Sequence, residues 1–213
     1  VPETGIFKHK NLRIGGSSEL YQKYDTRFGD LSAILIDNLP FYAEMKNIPN
    51  KEISLMSDWN VKMNAIINAA RNEDVGSLTG VPSWMMVVLQ KLLTETGQHH
   101  LDDLWPNIEV FFHGGISFKP YAENYRLISQ KQLNYFELYN ASEGFFGIQD
   151  QLNSKDLLLL LDNGIFYEFI PMEEFGNENQ RFLTIAEVEV DKNYAMVIST
   201  NGGLWRYIIG DTV

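Results

Sequence analysis

The chain has 213 residues, 45% hydrophobic and 21% charged, with a net charge of −11 and no cysteine. That length suits one large domain or two subdomains, and the composition is that of an ordinary globular protein. The acidic balance disfavours a nucleic-acid partner, since like charge repels a phosphate backbone, and the missing cysteine excludes disulfides, thiolate metal sites and a cysteine nucleophile.

No apolar run reaches membrane-spanning length. Val1-Pro2-Glu3-Thr4-Gly5 lacks the basic start and apolar core of a signal peptide. The expectation is a cytoplasmic protein that works away from membranes. The ends read as cut, because no initiator Met is present and the chain stops at Asp211-Thr212-Val213 as a strand begins.

Residues 1–27 show no clean periodicity. Arg13-Ile14-Gly15-Gly16-Ser17-Ser18 looks like a phosphate loop but lacks the following Lys and a preceding strand, so it reads as a turn. Residues 31–36 are apolar and buried, as helix or strand. Helical spacing runs from 58 to 71, with Trp59, Met63, Ile66, Ile67 and Ala70 on one face and Lys62 and Arg71 off it. Asp58 is the expected N-cap. Residues 75–81 read as a strand, Pro82 opens a helix and Gly97 ends it. A strand over 108–112 leads into His113-Gly114-Gly115, a helix follows over 120–131, and 133–139 is the next strand. This alternation predicts an α/β fold, a parallel sheet flanked by helices, over 1–150.

The pattern then changes. Residues 157–161 are a fully apolar strand, Asp162-Asn163-Gly164 is a hairpin signal, and 165–170 returns. Residues 184–190, 195–200 and 204–209 read as three more strands. Residues 151–213 are expected to form an antiparallel, barrel-like β subdomain.

Ligands of open α/β sheets bind beyond the carboxyl ends of the strands. Two loops lie there, His113-Gly114-Gly115 and Tyr139 to Gly144. Gly114 and Gly115 let a flat ring approach the backbone, and Tyr139 can stack on its other face. The alternative is a tight turn beside a core Tyr. Ser142 can donate to a phosphate oxygen and Glu143 can hold a metal; the alternative is helix capping by Ser142 or Asn140. Asp211 can accept from both hydroxyls of a ribose, or can be a turn Asp. His99, His100, Asp102 and Asp103 mimic a metal cluster but read as a solvated loop.

Tyr139-Asn140-Ala141-Ser142-Glu143-Gly144 and Trp205-Arg206-Tyr207-Ile208-Ile209-Gly210-Asp211 resemble the second and third nucleotide-binding motifs of the plant auxin- and jasmonate-conjugating acyl acid amido synthetases. These belong to the adenylate-forming superfamily. The resemblance extends through Gly29-Asp30-Leu31-Ser32-Ala33, Trp59-Asn60-Val61-Lys62, Gly80-Val81-Pro82-Ser83-Trp84, Trp105-Pro106-Asn107 and Phe166-Tyr167-Glu168-Phe169-Ile170-Pro171. The combination looks most like bacterial relatives of the plant enzymes, with this chain an internal piece of one.

The resemblance implies roles by position. Tyr139 stacks on adenine, with Gly114 and Gly115 on the other face; Ser142 contacts the α-phosphate; Glu143 binds Mg²⁺; Asp211 holds the ribose; Trp84 lines the acyl pocket. It implies ATP and Mg²⁺, a small carboxylic acid, and an amino acid or other amine as acceptor, in a monomer. Mg²⁺ and local donors offset the unfavourable global charge toward ATP. Ile208 stands where the family often has Arg. The phosphate loop, the C-terminal domain and its catalytic Lys are missing from this stretch, which by itself is expected to be inactive. A thioester-forming acyl-CoA ligase and a non-catalytic nucleotide-binding protein remain alternatives.

Overall fold

A computed structural model describes residues 4–15, 20–152 and 154–213. The chain divides into two compact units, Val1–Ser142 with Gly147–Leu158, and Glu143–Phe146 with Leu159–Val213.

The first unit opens with β1 (Lys10–Ile14), β2 (Leu20–Lys23), β3 (Thr26–Gly29), α1 (Leu31–Asp37), α2 (Phe41–Lys46), β4 (Asn47–Ile48) and α3 (Lys51–Ser54). It continues through α4 (Trp59–Ala70), β5 (Val75–Gly80), α5 (Pro82–Thr96), α6 (Leu101–Leu104), β6 (Val110–Gly114), α7 (Ala122–Leu127) and β7 (Asn134–Ala141). Then come β8 (Gly144–Ile148) and β9 (Leu158–Leu159), within which the chain passes from one unit to the other. The large sheet has the order β4-β1-β5-β6-β7-β8-β9. The pairs β1–β4, β1–β5, β5–β6 and β6–β7 are parallel. Parallel neighbours need long crossovers, and the intervening helices supply them.

Leu12, Ile14, Leu78 and Phe111 of the sheet share one buried cluster with Met63, Ile66 and Ile67 of α4 and Met85, Leu89 and Leu92 of α5. Each such side chain contributes about 1.5–3 kcal/mol by leaving water. The helix ends follow the sequence. Asp58 accepts from the Val61 amide at 3.0 Å, Pro82 takes the first turn of α5, and Gly97 closes it in the left-handed conformation.

The structure corrects several expectations in this unit. A strand, β1, does run into this stretch and includes Arg13 itself; its apolar alternation is only Leu12 and Ile14. Gly16, Ser17 and Ser18 lie outside the described residues. The apolar run at 31–36 is helical, and its N-cap Asp30 accepts from the Ser32 amide. Lys62 is buried whereas Trp59 is partly exposed, so the buried arc of α4 is rotated toward Lys62, which shares a face with Ile66 four residues on. The helix expected over 120–131 is only Ala122–Leu127.

The second unit contains β10 (Ile165–Pro171), β11 (Tyr194–Thr200) and β12 (Tyr207–Thr212). They form an antiparallel sheet in that order, open among the described residues. Ile170, Ala195 and Val197 are its buried core, with Phe182 packed against them. The expected hairpin between 157–161 and 165–170 does not form. Only Leu158–Leu159 is extended, and it pairs in the large sheet, while β10 pairs with β11. A wholly apolar run has no alternation to specify its partner. Residues 184–190 are not a strand either. The Glu187 carboxylate accepts from both the amide and the hydroxyl of Thr184 at 2.7 Å, closing a local turn.

Candidate functional site

The carboxyl ends of β5, β6 and β7 lie side by side. Register pairs Gly80 with His113 and Gly114 with Leu138, which puts Tyr139 one residue beyond Gly114 on the adjacent strand. Within the first unit the structure therefore brings Gly114, Gly115 and Tyr139 together. A Cβ at Gly114 would stand 2.3 Å from the Leu138 carbonyl oxygen, so only glycine lets the two strands approach this closely. Gly115 adopts φ +82°, which L side chains rarely do, and a Cβ there would meet Val81 at 3.5 Å. Val81 is the N-cap residue of α5, so the start of the helix that carries Trp84 adjoins Gly115. Trp84 is 42% exposed, which leaves its ring accessible for contact. Tyr139 is half-buried.

Two further groups at this sheet end were not among the expected ligand-binding residues. The Oδ1 of Asn140 would lie 3.7 Å from a Cβ on Gly114, so its amide borders the glycine turn. His113 is 3% exposed, and its Nδ1 has no hydrogen-bond partner. Its ring stacks on Phe118 at 4.3 Å, and burial pushes its pKa down to about 4, so the imidazole is neutral near pH 7. A His directly before Gly-Gly at a strand end was the available signal. Tyr125 donates from its hydroxyl to the Pro82 carbonyl at 2.8 Å, fixing the start of α5, and burial raises its pKa above the usual tyrosine range.

Ser142 and Glu143 are the two-residue turn between neighbouring β7 and β8. No helix follows, so the capping alternative is excluded. Ser142 is exposed and belongs to the first unit, while Glu143 is half-buried and belongs to the second.

Asp211, also in the second unit, lies inside β12 rather than in a turn after it. Ala195 pairs with Thr212 and Val197 with Ile208, so Ile209, Gly210 and Asp211 stand opposite Met196 alone in a bulge. Gly210 adopts φ +96° there. A bulge of this kind re-aims a side chain, and Asp211 is exposed. Arg206 is engaged in structure. Its guanidinium donates to both oxygens of Glu168 at 3.0 and 2.6 Å and lies over the Phe182 ring.

The histidine–aspartate stretch caps a short helix instead of forming a loop or metal site. Asp103 accepts from the His100 amide, and Asp102 accepts from Ser129 and the Gln130 amide. Among the described residues no group of three or more His or acidic side chains can hold a metal ion.

Residues 4–133 match the GH3 family N-terminal domain, and residues 158–213 match the GH3 family central domain. The chain belongs to the GH3 family. Among similar proteins, indole-3-acetic acid-amido synthetase GH3.4 of Arabidopsis thaliana is 30% identical over 162 residues, 70% of this chain and 25% of the relative. Jasmonoyl–L-amino acid synthetase GH3.5 of Oryza sativa subsp. japonica is 32% identical over 127 residues, 52% of this chain and 22% of the relative. A solved GH3.15 acyl acid amido synthetase shares the fold with a TM-score of 0.72 at 15% identity, over 98% of this chain and 46% of that one. The chain thus spans less than half the length of these relatives.

Proposed function

We propose that the protein containing this chain activates a carboxylic acid with ATP and passes the acyl group to an amine, an amino acid being the expected acceptor. The observation that carries this reading is the match of both segments to GH3 domains. The pairing of Gly114 with Leu138 beside Tyr139 supports it, since it leaves a side-chain-free edge next to an aromatic ring. The relatives' names point to the acids: one is an indole-3-acetic acid-amido synthetase and the other a jasmonoyl–L-amino acid synthetase.

In this reading Tyr139 stacks on adenine against the Gly114–Gly115 edge. Asp211 accepts from the ribose hydroxyls, and Ser142 donates to the α-phosphate. Trp84 borders the acyl group. A carboxylate oxygen of the acid attacks the α-phosphorus, and pyrophosphate leaves with the electrons of the cleaved P–O bond. The neutral amine then attacks the acyl carbon, AMP departs, and the nitrogen loses a proton to give the amide. Both partners of the first step are anions, so alignment by these side chains and offset of charge dominate its rate.

Glu143 supplies a single carboxylate. That fits Mg²⁺, which usually takes one or two protein carboxylates and completes its shell with substrate phosphates and water. When bound, the ion offsets the charge on the phosphates. The reading also takes the protein to be a bacterial monomer of the cytoplasm; of these, the cysteine-free composition supports only the compartment.

The test is acid-dependent ATP–pyrophosphate exchange by the full-length protein, with products analysed in the presence of amino acids or coenzyme A. Exchange and an amide are expected. A thioester moves the protein to the acyl-CoA ligases. Nucleotide binding without exchange for any acid leaves a sensor rather than an enzyme.

A further inference from the structure

The stretch at Arg13 finds no use in the reading above, yet Arg13 has an unusual setting. It stands near the carboxyl end of β1, directly opposite Thr79 of β5. Its guanidinium is partly buried, and its enclosed Nε has no hydrogen-bond partner. None of the ion pairs among the described residues includes it. Burial lowers its proton affinity, and the field of Glu44 on α2 partly offsets this.

The neighbouring polar side chains are satisfied among themselves. Asn11, two residues before Arg13 on the same face, accepts from Ser77 and Thr79 hydroxyls, each at 3.0 Å. Its own amide donates to Asn47 at 2.8 Å, and Asn47 donates to the Ala43 carbonyl at 2.7 Å. This row runs across β4, β1 and β5 and supplies no acceptor to the enclosed Nε of Arg13. Buried charges in proteins are normally paired or coordinated. An oxyanion is a group that could accept from this guanidinium.

The place in the sheet says where that anion would lie. β1 adjoins β5, and β5 adjoins β6. Arg13 therefore stands two strand spacings, about 10 Å, from the strand that ends at Gly114. It is at the same end of the sheet as the proposed adenine edge.

We propose that Arg13 binds an oxyanion at the carboxyl end of the sheet, either the phosphates of the nucleotide or the carboxylate of the acid. The site deepens the proposed function and rests on it for the identity of the anion. The planar fork of a guanidinium suits both groups, and the surrounding Thr79 and Asn11 carry no negative charge to compete. Among the described residues, Glu44 is the carboxylate whose field reaches Arg13 and opposes binding.

The 213-residue chain is titrated with pyrophosphate, with acetate and with chloride at matched ionic strength, followed by calorimetry and thermal unfolding. Saturable binding of pyrophosphate or acetate is expected, weakened at least tenfold by Arg13→Gln. Arg13→Lys should retain part of it, and Glu44→Gln should tighten it severalfold. A preference for pyrophosphate assigns the site to the nucleotide, and a preference for acetate assigns it to the acid. Equal anion binding by wild type and Arg13→Gln overturns the proposal. So does an absence of anion binding in the wild type, or a matched loss of stability in Arg13→Gln and Glu44→Gln with no anion effect, which makes the pair structural. Adenosine binding, measured beside these, should fall with Tyr139→Ala but not with Arg13→Gln. Loss of the adenosine result alone counts against the nucleotide reading and leaves the anion site standing.

Discussion

At the scale of single residues, Gly114 and His113 show how closely the sheet end is packed. A Cβ at position 114 would approach the Leu138 carbonyl to 2.3 Å, well inside any real contact. Gly114→Ala must push β6 and β7 apart, and overpacking of this kind costs about 1–3 kcal/mol. Urea unfolding should show a lower midpoint with an unchanged slope. His113 gives a pH dependence whose sign follows from its depressed pKa. The unfolded side chain titrates near 6.5, while in the folded chain burial holds it at about 4. Between these values the unfolded state binds the extra proton, so stability is complete above pH 6.5 and falls as the pH drops toward 4, by on the order of 3 kcal/mol. His113→Phe should flatten this part of the stability profile. An unchanged profile would show that another group causes the acid loss.

At the scale of elements, α4 and β12 make opposite points. α4 is locally encoded. Asp58 accepts from the Val61 amide at 3.0 Å, and the apolar spacing behind it marks Met63, Ile66, Ile67 and Ala70 of the buried face. Asp58→Ala should cost about 1 kcal/mol, read from thermal unfolding, because an orphan amide of the first turn loses its acceptor. β12 depends on its partner. Its strand character was readable from the β-rich run, but the bulge that holds Asp211 arises only from the register against β11. Gly210 at φ +96° is what allows that bulge. Gly210→Val should move the Asp211 carboxylate and weaken nucleotide binding by the full-length protein, while Ile208→Val, which keeps the register, should leave it unchanged. Equal binding by both variants would separate Asp211 from the ribose.

At the scale of the whole molecule, the proposed chemistry is a property of the full-length protein, and this chain spans less than half the length of its relatives. The proposed magnesium role predicts that a chelator abolishes exchange by the full-length protein and that added Mg²⁺ restores it. Glu143→Ala should raise the Mg²⁺ concentration needed and lower the maximal rate by about 10²–10³, the range typical for loss of one transition-state contact. A Glu143→Ala protein with the wild-type magnesium profile would remove this carboxylate from the site.

The amino-acid order by itself determined the alternating strands and helices from α4 to β7, the caps at Asp58, Pro82 and Gly97, and the glycine turn after His113. These depend on neighbours along the chain: side-chain period, capping hydrogen bonds and backbone sterics. The tertiary structure alone decided which strands pair, and there the local signals failed. The apolar run at 157–161 joined the large sheet in part, 184–190 closed on Glu187 as a turn, and the strand that carries Arg13 appeared only through its parallel partners β4 and β5. It also decided that Lys62 and His113 are buried and that the Arg13 Nε lacks an acceptor. Pairing and burial depend on residues far apart in the chain, whose contact must outweigh the entropy of loop closure, and no local window holds that information.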